Sequence, residues 1–246
     1  MHKKTKKILA SVLAMATLAP AAVATIAPMP ASAGLVVGES TFDHKALPWH
    51  TCESSPAKQD FELTKDGTFH ITVKVPEGAD HEKWDLQFRH RNLAFKAGHE
   101  YKVSFKVKGS RAGMELCSKI GDISGNEEYF ELDGGSNDMH MGPHMGGQWP
   151  AAAVKLTTDW QTFEGTFKPT EDLEAAEWCF HYAKGTKYQG NAEKGDEIWF
   201  DDMVIDCVTC GDKAPGEGSC NADPNEGYGA TNRDYSVSAD PSMAEG

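Results

Sequence analysis

Beyond its first thirty-three residues the chain has no apolar run approaching the roughly 20 residues that a membrane-spanning helix needs. It also has no segment of useful length with apolar residues at helical spacing. Basic residues are scarce: 24 Lys and Arg stand against 37 Asp and Glu, for a formal charge of −13. That balance repels phosphate backbones and anionic lipid, which argues against nucleic acid and membrane surfaces as partners. A neutral polymer remains compatible. Catalytic signatures are missing as well, with no G-x-S-x-G, H-E-x-x-H, P-loop or dinucleotide fingerprint. Many acidic residues are present, but nothing places a particular pair at the ~5 to 9 Å separation of glycoside hydrolysis.

The first thirty-three residues read as a secretory signal. Lys3, Lys4, Lys6 and Lys7 precede the apolar stretch from Ile8 to Pro20, and Ala31-Ser32-Ala33 has the form of an A-x-A cleavage site. Removing residues 1–33 with their four Lys takes the formal charge from −13 to −17. The expected mature protein is secreted and extracellular.

From about Gly34 to Val208 the pattern has period two, the mark of strands with one face on a core. Phe69, Ile71, Val73 and Val75 alternate with His70, Thr72 and Lys74. Tyr101, Val103, Phe105 and Val107 alternate with Lys102, Ser104, Lys106 and Lys108. Further strands are expected over 84–91, 114–120, 160–167, 178–182 and 198–205. Seven or more short antiparallel strands in some 175 residues imply two sheets packed face to face, an all-β jelly-roll sandwich spanning 34–208. From 209 to 246 the chain turns to Gly, Pro, Asp, Glu, Asn and Ser with almost nothing apolar to bury, and reads as a linker or disordered tail.

Six cysteines in an exported chain can form disulfides or, from a source living without oxygen, remain thiols; six allow 15 pairings. Cys207-x-x-Cys210 invites a zinc reading, but no second pair stands at zinc spacing, so a local disulfide is expected. In the Gly-rich insertion between Gly121 and Pro150, Met139-His140-Met141 and Pro143-His144-Met145 have a soft-metal look. They lack a Cys or acidic ligand at tight spacing.

The segment Trp84-Asp85-Leu86-Gln87-Phe88-Arg89-His90-Arg91 puts Leu86 and Phe88 on the buried face and Asp85, Gln87, Arg89 and Arg91 on the other. Such a face is either an ordinary solvated sheet surface or a polar cleft floor. In the second case the guanidinium forks and the amide bond sugar hydroxyls while Trp84 stacks on a pyranose ring. Likewise Trp178, Phe180 and Tyr182 point inward and leave Cys179 and His181 opposite. The insertion is expected to be a loop carrying Tyr129, Phe130 and Trp149, fit for a second stacking wall.

Taken together, Val37-Gly38-Glu39-Ser40-Thr41-Phe42-Asp43, Trp49, KWDLQFRHR (83–91), AGHEYKVSFKV (97–107), SKIGD (118–122), DWQTFEGTF (159–167) and IWFDDMVI (198–205) resemble carbohydrate-binding module family 4/9. The likeness runs over residues 35 to 206 and is nearest to the modules at the N-termini of bacterial family 9 glycoside hydrolases. It implies a jelly roll whose concave sheet forms a groove for one cellulose-type β-glucan chain. Carried over by position, Trp84 matches a flanking aromatic, Gln87, Arg89 and Arg91 the polar groove strand, Phe130 a position often held by Trp or Tyr, and His181 a late-strand amide or His. Cys52, Cys117 and Cys179 fall on groove-facing positions. The resemblance also implies a structural Ca²⁺ held by Glu39 and Asp201, a hard cation with oxygen ligands tying the first and last strands together.

The expectation is therefore non-catalytic binding of polysaccharide, with sugar stacked on Trp84 and on Phe130 or Trp149 and oriented by Gln87, Arg89, Arg91 and His181. Two other readings remain open: the targeting end of a family 9 cellulase with a catalytic domain downstream, or an adhesion module of a cell-surface assembly.

Overall fold

The computed structural model describes residues 42, 49–123, 129–133, 140–143, 153–185, 190–211 and 220. The chain divides into two units, Met1–Ala31 and Ser32–Gly246, and every described residue lies in the second. Among the described residues the regular structure is strand, interrupted by one short 3-10 turn, Lys83–Asp85. The strands are β1 His50–Glu53, β2 Lys58–Leu63, β3 Phe69–Val75, β4 Leu86–Phe95, β5 Tyr101–Gly109, β6 Glu115–Asp122, β7 Tyr129–Asp133, β8 His140–Pro143, β9 Val154–Lys155, β10 Gln161–Phe167, β11 Leu173–His181 and β12 Glu197–Cys207.

They form two antiparallel sheets, one ordered β1-β4-β11-β6-β7-β8 with β9 beside β6, the other β10-β5-β12-β3-β2. The all-β sandwich follows from the alternation. In β3 and β5, Phe69, Ile71, Val73, Tyr101, Val103, Phe105 and Val107 are all buried, while Lys102 and Lys74 face solvent. Between the sheets lies an aromatic core: Trp49 stacks on Phe88 at 4.7 Å, Phe88 meets Phe200 at 4.5 Å and Phe105 meets Phe180 edge-on at 4.9 Å. Such pairs add about 0.5–1.5 kcal/mol each beyond their burial.

Two departures from simple alternation shape the sheets. In β12, Ile198 and Phe200 point inward, yet so do Met203 and Ile205, one position out of phase. The ladder to β5 slips between Asp201 and Val204, and Asp202 takes φ 48°. An extra residue in one strand has been absorbed as a bulge. In β4 the inward set passes from Leu86, Phe88 and His90 to Leu93 and Phe95, with matching slips in the ladder to β11.

Several sequence expectations change. The insertion contains two strands, β7 and β8, that extend the first sheet. Trp84 precedes the strand on which it was placed and sits in the 3-10 turn. The six cysteines are thiols, so the expected local disulfide between Cys207 and Cys210 is not formed. The compositional break at Val208 is also not where packing stops: Cys210 is buried and Cys220 packs against the core, with Thr209 Oγ1 accepting the Glu100 N–H at 2.9 Å.

Candidate functional site

The outward face of the first sheet gathers the polar residues of five strands. Arg89 of β4 lies opposite His50 of β1 and Cys179 of β11, and Cys179 lies opposite Lys119 of β6, which faces Glu131 of β7. The five residues form one transverse row. Beside it runs a second row, Cys52, Gln87, His181 and Cys117. A third begins at Arg91, whose Nε donates to Glu177 Oε2 at 3.2 Å. The three cysteines expected on groove-facing positions therefore do face this side.

Hydrogen bonds fix the rows. Arg89 Nε donates to His50 Nε2 at 2.9 Å, and the Cys179 thiol donates to Gln87 Oε1 at 3.3 Å. Gln87 Nε2 donates to the Trp84 carbonyl at 2.9 Å, which places the 3-10 turn at the end of the second row. Beneath, Gln59 Nε2 bonds the carbonyls of Cys52 and Gln87 at 2.9 and 3.2 Å, and the Tyr182 hydroxyl donates to Gln59 Oε1.

The charges are mostly cationic. Arg89, Arg91, Lys119 and the buried Lys83 share the face with Glu177 and Glu131. Lys119 Nζ stands 3.7 Å from Glu177 and Lys83 Nζ 3.8 Å from Glu131. Burial, reinforced by Lys119, Lys83 and Arg89, holds the His181 imidazole well below its usual range. Burial raises the Cys179 thiol well above its usual range, and Glu177 raises it further. Cys117 is pushed up to about 11 by burial, against the pull of Lys83. At neutral pH the face thus offers a neutral imidazole and protonated thiols. It presents fixed donors and an amide, which suits hydroxyl recognition, and Cys117 and Cys179 stand there as protonated thiols.

Five of the expected ligand residues come together here: Trp84, Gln87, Arg89, Arg91 and His181. Exposure divides them. Trp84, Gln87 and Arg91 are half-buried, whereas Arg89 and His181 are only 5% and 8% exposed, so they act from beneath the surface. Phe130 does not belong to the site. It lies opposite the inward Ile120, is buried, and packs on Phe167 at 5.0 Å. Trp149 and Glu39 lie outside the described residues, as do the side chains of the Met-His insertion motif. Asp201 is on the other sheet, in a cleft of about 370 Å³ with Lys106, Lys108, Trp160 and Trp199. Lys108 Nζ sits 5.0 and 4.9 Å from the two indole centroids.

Sequence reasoning missed Lys119, Glu131, Glu177, His50 and Lys83. Lys119 and Glu177 were recoverable from alternation, being in phase with Cys117 and with Cys179. His50 and Lys83 reach the site through long-range pairing and carry no local signal.

A two-sheet sandwich with a polar outer face and Trp84 at the end of one of its rows suits the binding of polysaccharide. The chain belongs to the carbohydrate binding domain family 4/9, whose profile matches residues 35–186. A cellulose 1,4-beta-cellobiosidase of Acetivibrio thermocellus is 33% identical over 162 residues, 61% of this chain and 16% of that protein. The chain therefore corresponds to about a sixth of this relative. Among solved structures, a CBM4 structure aligns with a TM-score of 0.48 at 24% identity, over 70% of this chain and 99% of that one. The N-terminal cellulose-binding domain of Cellulomonas fimi beta-1,4-glucanase C aligns at 0.42 and 15%, over 70% and 95%. The CBM22-1 xylan-binding domain of Paenibacillus barcinonensis aligns at 0.41 and 13%, over 70% and 96%.

Proposed function

We propose that the module grips a single β-glucan chain of the cellulose type across the outward face of its first sheet, and thereby brings a polysaccharide-degrading enzyme to its substrate. The observation that carries this reading is the pair of rows through Arg89 and Gln87, lying side by side across the sheet with Trp84 at the end of one. A pyranose stacks on Trp84, its hydroxyls meet the half-buried donors of Gln87, Arg91 and Lys119, and Arg89 and His181 set the geometry from below. Each polar contact replaces one with water and gives about 1 kcal/mol net, so affinity is modest and led by the indole.

Native affinity gels containing hydroxyethyl cellulose, mixed-linkage glucan or xylan test it. Retention is expected with the first two, and Trp84→Ala should abolish it. Unchanged retention of that variant would sink the groove assignment, and retention by xylan alone would sink the ligand.

The cellobiosidase relative supports an enzyme-borne context, with secretion directed by residues 1–33. N-terminal sequencing of the exported protein should begin at Gly34. A structural Ca²⁺ at Glu39 and Asp201 completes the proposal. Asp201 is half-buried at the β12 bulge, but its Oδ1 already accepts the Asp202 N–H at 2.8 Å, and Lys106 engages Asp202, so an ammonium must withdraw for the cation to enter. Millimolar calcium should raise the melting temperature of the parent chain and leave that of Asp201→Ala unmoved.

A further inference from the structure

At the far end of β4 from Trp84, four side chains from distant parts of the chain converge. His99 belongs to the tight turn between β4 and β5, where Gly98 takes φ 75°. Cys207 ends β12 and lies opposite Tyr101. Cys210 follows within the turn 208–211, and Cys220 returns from further along the chain. Their ligating atoms all lie within 4.8 Å of one another. Three sulfurs surround one nitrogen: His99 Nδ1 is 3.4 Å from Cys207 Sγ, 3.7 Å from Cys210 Sγ and 3.3 Å from Cys220 Sγ.

Hydrogen bonding does not account for that arrangement. A ring N–H lies in the imidazole plane and points in one direction, so it serves one sulfur well, and three exceed its capacity. Disulfide pairing does not account for it either, since three thiols leave one over and neither bond calls for an imidazole at the centre. A shared metal does. With metal–sulfur bonds of about 2.3 Å and a metal–nitrogen bond of about 2.0–2.1 Å, tetrahedral angles put each sulfur about 3.6 Å from the nitrogen, which matches the three distances.

We propose that His99, Cys207, Cys210 and Cys220 form a structural Cys₃His zinc site that fastens the segment after β12 to the base of the sandwich. Three thiolates and an imidazole select zinc over hard cations. Four protein ligands close the coordination sphere, so the site serves structure and leaves no position for chemistry. The surroundings suit it. The Cys220 backbone N–H donates to Cys210 Sγ at 3.1 Å, the kind of outer-shell bond that orients and stabilises a metal-bound thiolate. The three cysteines bind a metal as thiolates, so their protons leave when it enters. The backbone is already tied at this place by the bond from Val208 N to Glu100 O at 2.9 Å.

The site also fixes where the remaining chain departs. Residues beyond Cys220 start from an anchored point on the sandwich, so whatever follows is held at a defined end of the binding module.

The test uses the full chain, produced with zinc supplied, purified under a reducing agent and dialysed, with metal content read by elemental analysis. One zinc per chain is expected, together with thiolate-to-metal charge-transfer and tetrahedral ligand-field bands after exchange into cobalt. Cys220→Ser should weaken zinc binding by more than about 100-fold, the upper end of what losing an outer partner alone costs. Cys220 ends no strand, so this variant should keep the parent's glucan retention, which separates a lost metal from a lost fold. Less than a tenth of an equivalent of zinc in the parent chain overturns the proposal. So does full zinc retention by Cys220→Ser, or a spectrum of octahedral cobalt.

Discussion

Arg89 donates its Nε–H to His50 Nε2 across 2.9 Å, joining the centre of the polar sheet face to the edge strand β1. The imidazole accepts through Nε2, so its proton sits on Nδ1. Arg89→Lys keeps the charge but cannot present the planar fork. Both Arg89→Lys and Arg89→Ala should lose retention in the glucan gel and about 1–3 kcal/mol of stability in urea. Full retention by the lysine variant would show that charge alone suffices.

His181 makes stability depend on pH. Its folded pKa lies well below the unfolded value of 6.5 because burial and the adjacent Lys119, Lys83 and Arg89 all disfavour the cation. Below pH 6.5 the unfolded chain therefore binds a proton that the folded chain refuses. Stability is highest above 6.5 and falls as the pH drops toward the folded pKa, by up to about 1.4 kcal/mol per pH unit. His181→Gln should flatten this limb in denaturant titrations between pH 6.5 and 5. An unchanged slope would mean the imidazole is not held neutral.

Phe130 distinguishes a core position from a groove position. Phe130→Ala should cost about 3–5 kcal/mol, as a buried ring exchanged for a cavity. Phe130→Leu should keep retention in the glucan gel close to that of the parent. A Leu variant that folds normally yet no longer binds glucan would return the ring to the site.

Trp178, in the central core, donates its indole Nε1–H to Ser118 Oγ at 3.0 Å, between β11 and β6. Ser118→Ala leaves that donor unsatisfied and should lower the urea midpoint by the equivalent of about 1–3 kcal/mol, with the m-value unchanged. Ser118→Thr, which keeps the hydroxyl, should recover part of the loss.

The sequence by itself determined the sandwich and the face. A strand's side chains alternate with period two, so burying Leu86 and Phe88 forces Gln87, Arg89 and Arg91 to the other side whatever the rest of the chain does. Register, cover and convergence were decided only in three dimensions. Phe130 has the composition of a groove aromatic, but pairing β7 to β6 opposite Ile120 turns it into the core. Arg89 and His181 read as open-cleft residues and are buried. The thiol cluster is the clearest case. Local spacing shows only Cys207-x-x-Cys210, while its imidazole stands 108 residues from Cys207 and 121 from Cys220. Only the closing of β12 beside β5 brings that turn to those thiols, because ligand geometry is a property of the folded backbone and spacing along the chain records no more than its shortest loop.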